Sequence, residues 1–278
     1  MSYWNENLSD YGINIKFLCG DVTPVDHSLP NSERCLPFTV LTYQEPAPGT
    51  AWHGCGCICP EGEYFSAEPA CWIIPPYCRH QFRRLDRLHI STWGHFEFTI
   101  GCELDLMHFY EVPRFVSGEK ALVLKELLKK CQRPAEYSPA AVCAGKGAQY
   151  QLLAEVLECS KLLQGSPEEV FNPFFNGIFQ YIRKNLNRPV SLDEVAAFAG
   201  LSRSSLEKKF RAAIGVSPGE FILRSRLREA AWMLRSTAMT AKEIAEATGF
   251  ADVYTFSKAF QRKFHRPPIR FRKEKIFS

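Results

Sequence analysis

Between Val195 and Phe271 the sequence repeats itself. Val195-Ala196 returns as Ile244-Ala245 and Gly200-Leu201 as Gly249-Phe250, both at an offset of 49. Leu206, Phe210, Pro218 and Phe221 return as Phe256, Phe260, Pro268 and Phe271 at an offset of 50, so one residue is inserted just after the second glycine. A fixed offset means one supersecondary unit built twice. Each copy reads as a short helix, a turn opening on Gly, then a longer helix with apolar residues four apart, which is a helix-turn-helix. The Gly is expected at positive φ, where a side chain is strained. Leu206/Phe210 and Phe256/Phe260 face inward. The opposite face of the longer helix carries Arg203, Ser204, Glu207, Lys208 and Arg211 in the first copy. In the second it carries Tyr254, Thr255, Ser257, Lys258 and Gln261, with Arg262 as a further basic contact. Such side chains suit the edges of bases in a major groove.

A charged amphipathic helix taken alone is more often a solvated face. Charge distribution argues against that reading here. The formal net charge is only +4, but residues 173–278 carry 20 Lys and Arg against 9 Asp and Glu, while residues 1–172 carry 14 against 21. A basic half joined to an acidic half points to nucleic acid contact by the basic one. Helical periodicity in that half covers Phe174–Leu186, Leu192–Ala199, Ser204–Ile214, Gly219–Leu234, Ala241–Ala247 and Val253–Phe264. Ser191, Ser202, Thr240 and Asp252 stand where N-caps belong. The helix between the copies, from Pro218 to Arg235, is about 25 Å long. That length suits two reading helices set ~34 Å, one DNA turn, apart.

The first half has another texture. Short apolar runs at Phe38–Tyr43, Gly54–Cys59, Cys71–Ile74, Leu88–Trp93 and Phe96–Ile100 are separated by turn residues such as Pro46-Ala47-Pro48-Gly49, Pro60-Glu61-Gly62 and Pro75-Pro76. Ile13–Cys19 is a further candidate strand. This spacing predicts an all-β sandwich or barrel. Two helices are expected after it, Glu119–Lys130 and about Ala148–Leu163, with Pro134–Gly147 a loop between them. Their leucine stripes are either internal packing or a dimer seam. The domain boundary is expected near 165–172, giving a first domain over 1–165, a linker over 166–172 and a DNA-binding domain over 173–278.

Eleven cysteines, an odd number, all lie before residue 160. In a chain long enough for real cores, with 46% hydrophobic residues and no leader pattern at the N-terminus, they read as reduced, buried thiols of a soluble, cytoplasmic protein. No apolar run reaches the ~18 residues of a membrane span. His53-Gly54-Cys55-Gly56-Cys57-Ile58-Cys59 resembles a metal site on paper. Same-face residues of a strand sit ~6.5–7 Å apart, whereas sulfurs on one zinc lie under ~4 Å apart. No metal is therefore expected on this strand alone; ligands from other strands, such as His80 or His95, would be required. No paired acid/base constellation supports catalysis, so a non-enzyme without cofactor is expected; a metal-dependent barrel enzyme and a non-specific nucleic-acid binder are the rival readings.

The C-terminal residues resemble the AraC/XylS family of bacterial transcription regulators. The resemblance runs over about Asn176–Lys273 and rests on the stretches SLDEVAAFAGLSRSSLEKKFRAAIGVSPGEFILRSRLREAAWML and AKEIAEATGFADVYTFSKAFQRKFHRPPIRFRK. It implies a seven-helix domain with two helix-turn-helix units on a long connecting helix, whose base-facing positions are Ser204, Glu207, Lys208, Tyr254, Thr255, Ser257 and Lys258. Glu207 either accepts from a cytosine N4 or pairs with Arg211. His265 departs from the family's Gly, and Pro267 from its Thr. The stretch ACWIIPPYCRHQF at 70–82 and Trp93-Gly94-His95-Phe96 resemble the family's cupin-like effector domain. That implies a jelly-roll barrel binding a small molecule, often a sugar, and helices that form a homodimer. Trp52, His53, Glu61, Glu63, Arg79, His80, Trp93, His95 and Glu97 are the candidate pocket residues, with Trp93, His95 and Glu97 on one strand face. The expected function is an effector-controlled regulator that binds promoter or operator duplex DNA. Activation is the expected mode, and RNA polymerase is a candidate further partner.

Overall fold

The computed structural model describes residues 13–26, 33–84, 88–100, 104–134, 137–163 and 173–273. It divides into two compact units, one of residues 13–100 with 105–163, the other beyond residue 164. The expected linker at 166–172 lies outside the described residues.

The first unit is built of twelve strands among the described residues: β1 (Asn14–Asp26), β2 (Arg34–Cys35), β3 (Thr39–Pro46), β4 (Cys55–Cys59), β5 (Gly62–Ser66), β6 (Ala70–Ile74), β7 (Arg79–Arg84), β8 (Leu88–Ile100), β9 (Leu104–Asp105), β10 (Tyr110–Glu111), β11 (Phe115–Ser117) and β12 (Lys161–Leu162). One sheet runs β1-β8-β3-β6-β11, with β9 beside β8; a second runs β2-β7-β4-β5; β10 and β12 pair separately. The two larger sheets face each other. The Cys55 thiol on β4 donates to Gln44 Oε1 on β3 at 2.6 Å, and Trp72 on β6 meets Phe82 on β7 edge-on at 5.8 Å.

Strand alternation sorts the residues. Along β8, Phe96, Phe98 and Ile100 are buried on the side away from the second sheet. That side is covered by α1 (Gly118–Cys131), which buries Ala121, Leu124, Leu127, Leu128 and Cys131. Helix α2 (Pro139–Glu158) packs on α1 and buries Leu152, Leu153 and Val156. The leucine stripes are thus largely core of this unit, while Leu122 and Val123 remain exposed.

Three expectations need correction. The two runs at Leu88–Trp93 and Phe96–Ile100 are one thirteen-residue strand, because Gly94 sits in the ladder opposite Leu41 instead of breaking it. Residues 139–147 are helical, not loop: Ser138 accepts from the Ala141 amide at 3.1 Å and Pro139 opens the helix, a start strong enough to carry Gly145 and Gly147. The same helix stops at Glu158, and Lys161–Leu162 pairs with Tyr110–Glu111 as strand.

Among the described residues, seven helices make the second unit: α3 (Pro173–Lys184), α4 (Leu192–Phe198), α5 (Arg203–Ile214), α6 (Pro218–Ser236), α7 (Ala241–Ala247), α8 (Val253–Phe264) and α9 (Pro268–Lys273). All four expected caps are formed. Ser191, Ser202 and Asp252 accept from the third amide of their helices, and Thr240 closes a full capping box with Glu243. The repeated apolar residues are buried. Phe210, Phe179 and Phe221 cluster in the first copy, and Phe256, Phe260, Phe264 and Phe271 in the second.

The repeat also explains where the sequence leaves the family pattern. Gly215 caps α5 with φ 75°, and its counterpart fifty residues on, His265, caps α8 with φ 56°. A side chain there costs about 1–2 kcal/mol that glycine avoids. We expect His265→Gly to raise the melting temperature of this unit by a few degrees, equivalent to roughly 0.5–1 kcal/mol after the chain-entropy cost of glycine. An unchanged or lower melting temperature would contradict the left-handed assignment.

Candidate functional site

The exposed face of the second unit's repeated helices follows from its caps. Ser202 and Asp252 fix where α5 and α8 begin. The inward pairs Leu206/Phe210 and Phe256/Phe260 fix how each helix is rotated. Arg203, Ser204, Lys208 and Arg211 are then exposed on α5, and Tyr254, Thr255, Lys258 and Arg262 on α8, with Glu207 and Ser257 half-buried. Tyr254 is 74% exposed, far beyond what a tyrosine kept for packing would show.

Some of these side chains already have partners. Arg203 donates to Glu207 at 3.3 Å and lies 3.7 Å from Asp193. Glu207 therefore pairs one turn back with Arg203, not with Arg211, which is one of the two alternatives the sequence leaves open. Thr255 donates to the Asp252 carboxylate at 3.1 Å. These exposed contacts are weak enough to exchange for a ligand. Behind the first copy, Arg188 and the Tyr181 hydroxyl both donate to Glu194, which holds that carboxyl down at about 2 and keeps it ionised. This clamp ties α3 to α4.

Candidate pocket residues in the first unit separate into two groups. His80, Trp93 and His95 gather between the sheets. His95 and His80 are buried. His95 Nδ1 lies 3.3 Å from the Cys19 sulfur, and its ring is 5.0 Å from that of Trp93 and 4.7 Å from that of Phe38. His80 Nδ1 lies 3.0 Å from the Cys78 carbonyl, and burial pushes its pKa down to about 4, so the ring is neutral at pH 7. Trp93 donates to Thr23 at 3.2 Å. Glu97 is half-buried beside Lys16 at 3.5 Å, and Trp52 is half-buried. His53, Glu61, Glu63 and Arg79 are exposed. Glu61 pairs with Arg114, Glu63 with Arg83 and Arg79 with Glu33.

Sequence reasoning missed two residues on the inner face. Trp72 pairs across the ladder with Thr42, and Gln44 stands two residues further along the same face. Trp72 Nε1 and Gln44 Nε2 are both buried without an acceptor among the described residues. Buried donors are nearly always satisfied, so two on one enclosed face mark a place for an oxygen-bearing ligand or ordered water. The apolar run Cys71–Ile74 concealed Trp72, and Gln44 gave no signal beyond being a polar residue at an inward position.

Comparison with known proteins settles the family. A helix-turn-helix domain family matches residues 195–274. Regulatory protein SoxS of Salmonella typhimurium is 34% identical over 95 residues, which is 34% of this chain and 89% of SoxS. The chain belongs to the AraC/XylS family. The Msm operon regulatory protein of Streptococcus mutans is 32% identical over 130 residues, 46% of each chain. The chain thus spans less than half the length of several curated relatives that it matches. Likeness over nearly the whole length is seen in fold alone. ToxT from Vibrio cholerae is 13% identical and covers 94% of this chain and 97% of its own, with a TM-score of 0.53. This AraC/XylS chain accordingly joins a strand-rich first unit to a helical DNA-binding-type second unit. No helix among its described residues is long and apolar enough to cross a membrane.

Proposed function

We propose that this chain is a sequence-specific, DNA-binding transcription regulator whose output is set by a small molecule held between the two sheets of the first unit. The observation that carries the DNA reading is the pair of helix-turn-helix copies, each exposing a polar and basic helix face. Lys and Arg side chains contact phosphates and position the protein, while the faces of α5 and α8 read bases. The expected reading residues are those exposed on the two helices, with Lys208 and Lys258 central.

For the effector, the orphaned donors Trp72 Nε1 and Gln44 Nε2 support a ligand bearing acceptor oxygens, a sugar or a carboxylate. One ToxT structure carries a bound unsaturated fatty acid, which makes carboxylates as fit a class to test as sugars. Trp93 and His95 on the first sheet and His80 on the facing second sheet border the same space and would orient the ligand. An effector shifts the regulator only by binding its alternative arrangements with different affinity. Pairing of two chains as a homodimer belongs to this proposal, with the exposed Leu122 and Val123 of α1 as its contact.

The test is duplex binding by the full chain at two salt concentrations. A preferred promoter sequence that keeps its advantage over scrambled duplex as salt rises is expected; equal affinity for all duplexes at both salts would overturn the reading. For the effector, thermal-shift screening against sugars and carboxylates should find a ligand that raises the melting temperature by mass action. Gln44→Leu should weaken that ligand about 5–150-fold, the loss of one buried hydrogen bond of ~1–3 kcal/mol. Undiminished binding would remove Gln44 from the site.

A further inference from the structure

At one end of the first unit three sulfur- and oxygen-bearing side chains from separate parts of the chain converge. Cys59 ends β4, Glu61 lies in the two-residue turn to β5, and Cys78 precedes β7. One ligand atom from each lies within 4.8 Å of the others. The Cys59 and Cys78 sulfurs lie within 4.8 Å of each other, and the Cys57 sulfur lies 3.8 Å from that of Cys59. The sequence-based expectation that alternate thiols of one strand stay too far apart is thereby corrected. Their Cα atoms keep the strand spacing, but the side chains lean together. We propose that Cys59, Cys78 and Glu61 form a zinc-binding site.

Three features of the site fit that ion. Ligand atoms on one tetrahedral zinc, with bonds of ~2.0–2.3 Å, lie ~3.5–3.8 Å apart, and the three ligand atoms here already lie within 4.8 Å of one another. Electrostatics fits as well. Two thiolates and one carboxylate bring three negative charges, and Arg114, 2.8 Å from Glu61 Oε1, brings one positive; a divalent cation makes the cluster neutral. Arg114 Nη1 is buried with no acceptor among the described residues, and a neighbouring anionic sulfur would relieve it. Access is graded too: Glu61 is exposed and Cys78 half-buried, whereas Cys57 and Cys59 are buried, so an ion can enter from one side.

Local backbone geometry supports a built site. Tyr77 holds a left-handed φ of 63°, rare for a bulky residue. Its amide donates to the Leu36 carbonyl at 2.6 Å, fixing the turn that presents Cys78. Zinc here pins the turn between β6 and β7 to the β4–β5 hairpin and closes one end of the space between the sheets. The ligand set is thiolate and carboxylate, and it draws on neither His80 nor His95.

The test uses the full chain, reduced and stripped with a chelator. Titration with cobalt(II) should give the sulfur-to-metal charge-transfer and d–d bands of a tetrahedral thiolate site at one ion per chain. Zinc should displace the cobalt and raise the melting temperature of the first unit. Cys59→Ser and Cys78→Ser should abolish the charge-transfer band, and Glu61→Gln should weaken cobalt binding by more than ~10-fold, while Cys143→Ser, an exposed thiol of α2, leaves it unchanged. Glu61 is exposed, so Glu61→Gln tests the site even where a serine variant fails to fold. No charge-transfer band, an undiminished band in Cys78→Ser, or unchanged affinity in Glu61→Gln overturns the site. So does a chain that takes no metal but closes a Cys59–Cys78 disulfide under mild oxidant.

Discussion

Gly249→Val is expected to destabilise the second helix-turn-helix by roughly 4 kcal/mol and to abolish binding by that copy. Two costs add. The residue sits at φ 72°, where a β-branched side chain is a genuine outlier. A Cβ there would also lie 2.3 Å from the Leu186 carbonyl oxygen and 2.9 Å from that of Arg188. Both are backbone atoms and cannot swing aside. Arg226 of α6 holds the same junction together, donating to the Arg188 carbonyl at 2.6 Å with its guanidinium 6.0 Å from the Phe250 ring. The repeat supplies an internal control. Gly200, the equivalent residue of the first copy, has φ 65° but open space where its Cβ would go. Gly200→Val should therefore cost only the backbone strain, about 2 kcal/mol. For a unit of this size the melting temperature falls ~4–8 °C per kcal/mol. The helical transition followed by circular dichroism should drop on the order of 20 °C in Gly249→Val, and about half as far in Gly200→Val. Equal shifts would mean that the junction with Leu186 and Arg188 contributes nothing.

The double variant Lys208→Ala/Lys258→Ala should lose about 2–6 kcal/mol of binding to the preferred duplex. Each lysine is exposed on its own helix, and the two share no partner, so their effects should multiply in affinity. Each single variant should lose ~1–3 kcal/mol and relax base preference in a different half of the site. Circular dichroism should show both variants folded, since neither side chain packs in a core. If instead every duplex weakens equally and the slope of log K against log salt falls by ~0.9 per lysine, both are phosphate contacts and the reading residues lie elsewhere on the two faces. An unaltered affinity in both single variants would remove α5 and α8 from the interface.

The second unit was almost wholly legible in the sequence because its information is local. Caps, a Gly at each turn and apolar residues four apart decide helix ends and faces without reference to distant residues. Ala241–Ala247 and Val253–Phe264 form as expected to the residue. The first unit was legible only in class. Its strands pair with partners far along the chain, and the run Arg79–Arg84 reads as polar, though it lies between β2 and β4. The alternation of His80 and Phe82 with Arg79, Gln81 and Arg83 was the available signal. Candidate pocket residues fared similarly. His80 and His95 lie between the sheets, but exposed Glu63 and Arg79 spend their charge on neighbouring ions. Trp72 and Gln44 became visible only once their unsatisfied nitrogens could be placed on a common face.

The one-residue insertion has a consequence for the genome. In the first copy Leu201 and the cap Ser202 separate the turn glycine from α5; in the second, Phe250, Ala251 and Asp252 separate it from α8. The copies therefore have unlike turns and expose unlike residues, Arg203, Ser204 and Lys208 against Tyr254, Thr255 and Lys258, which under the proposed function would enter the duplex differently. A site read by one such chain has a head and a tail. It need not be a palindrome, and reversing it relative to the start of transcription changes which helix lies nearer the polymerase. Under the proposed function, each chain would thus carry the direction of a promoter in the order of its two helices.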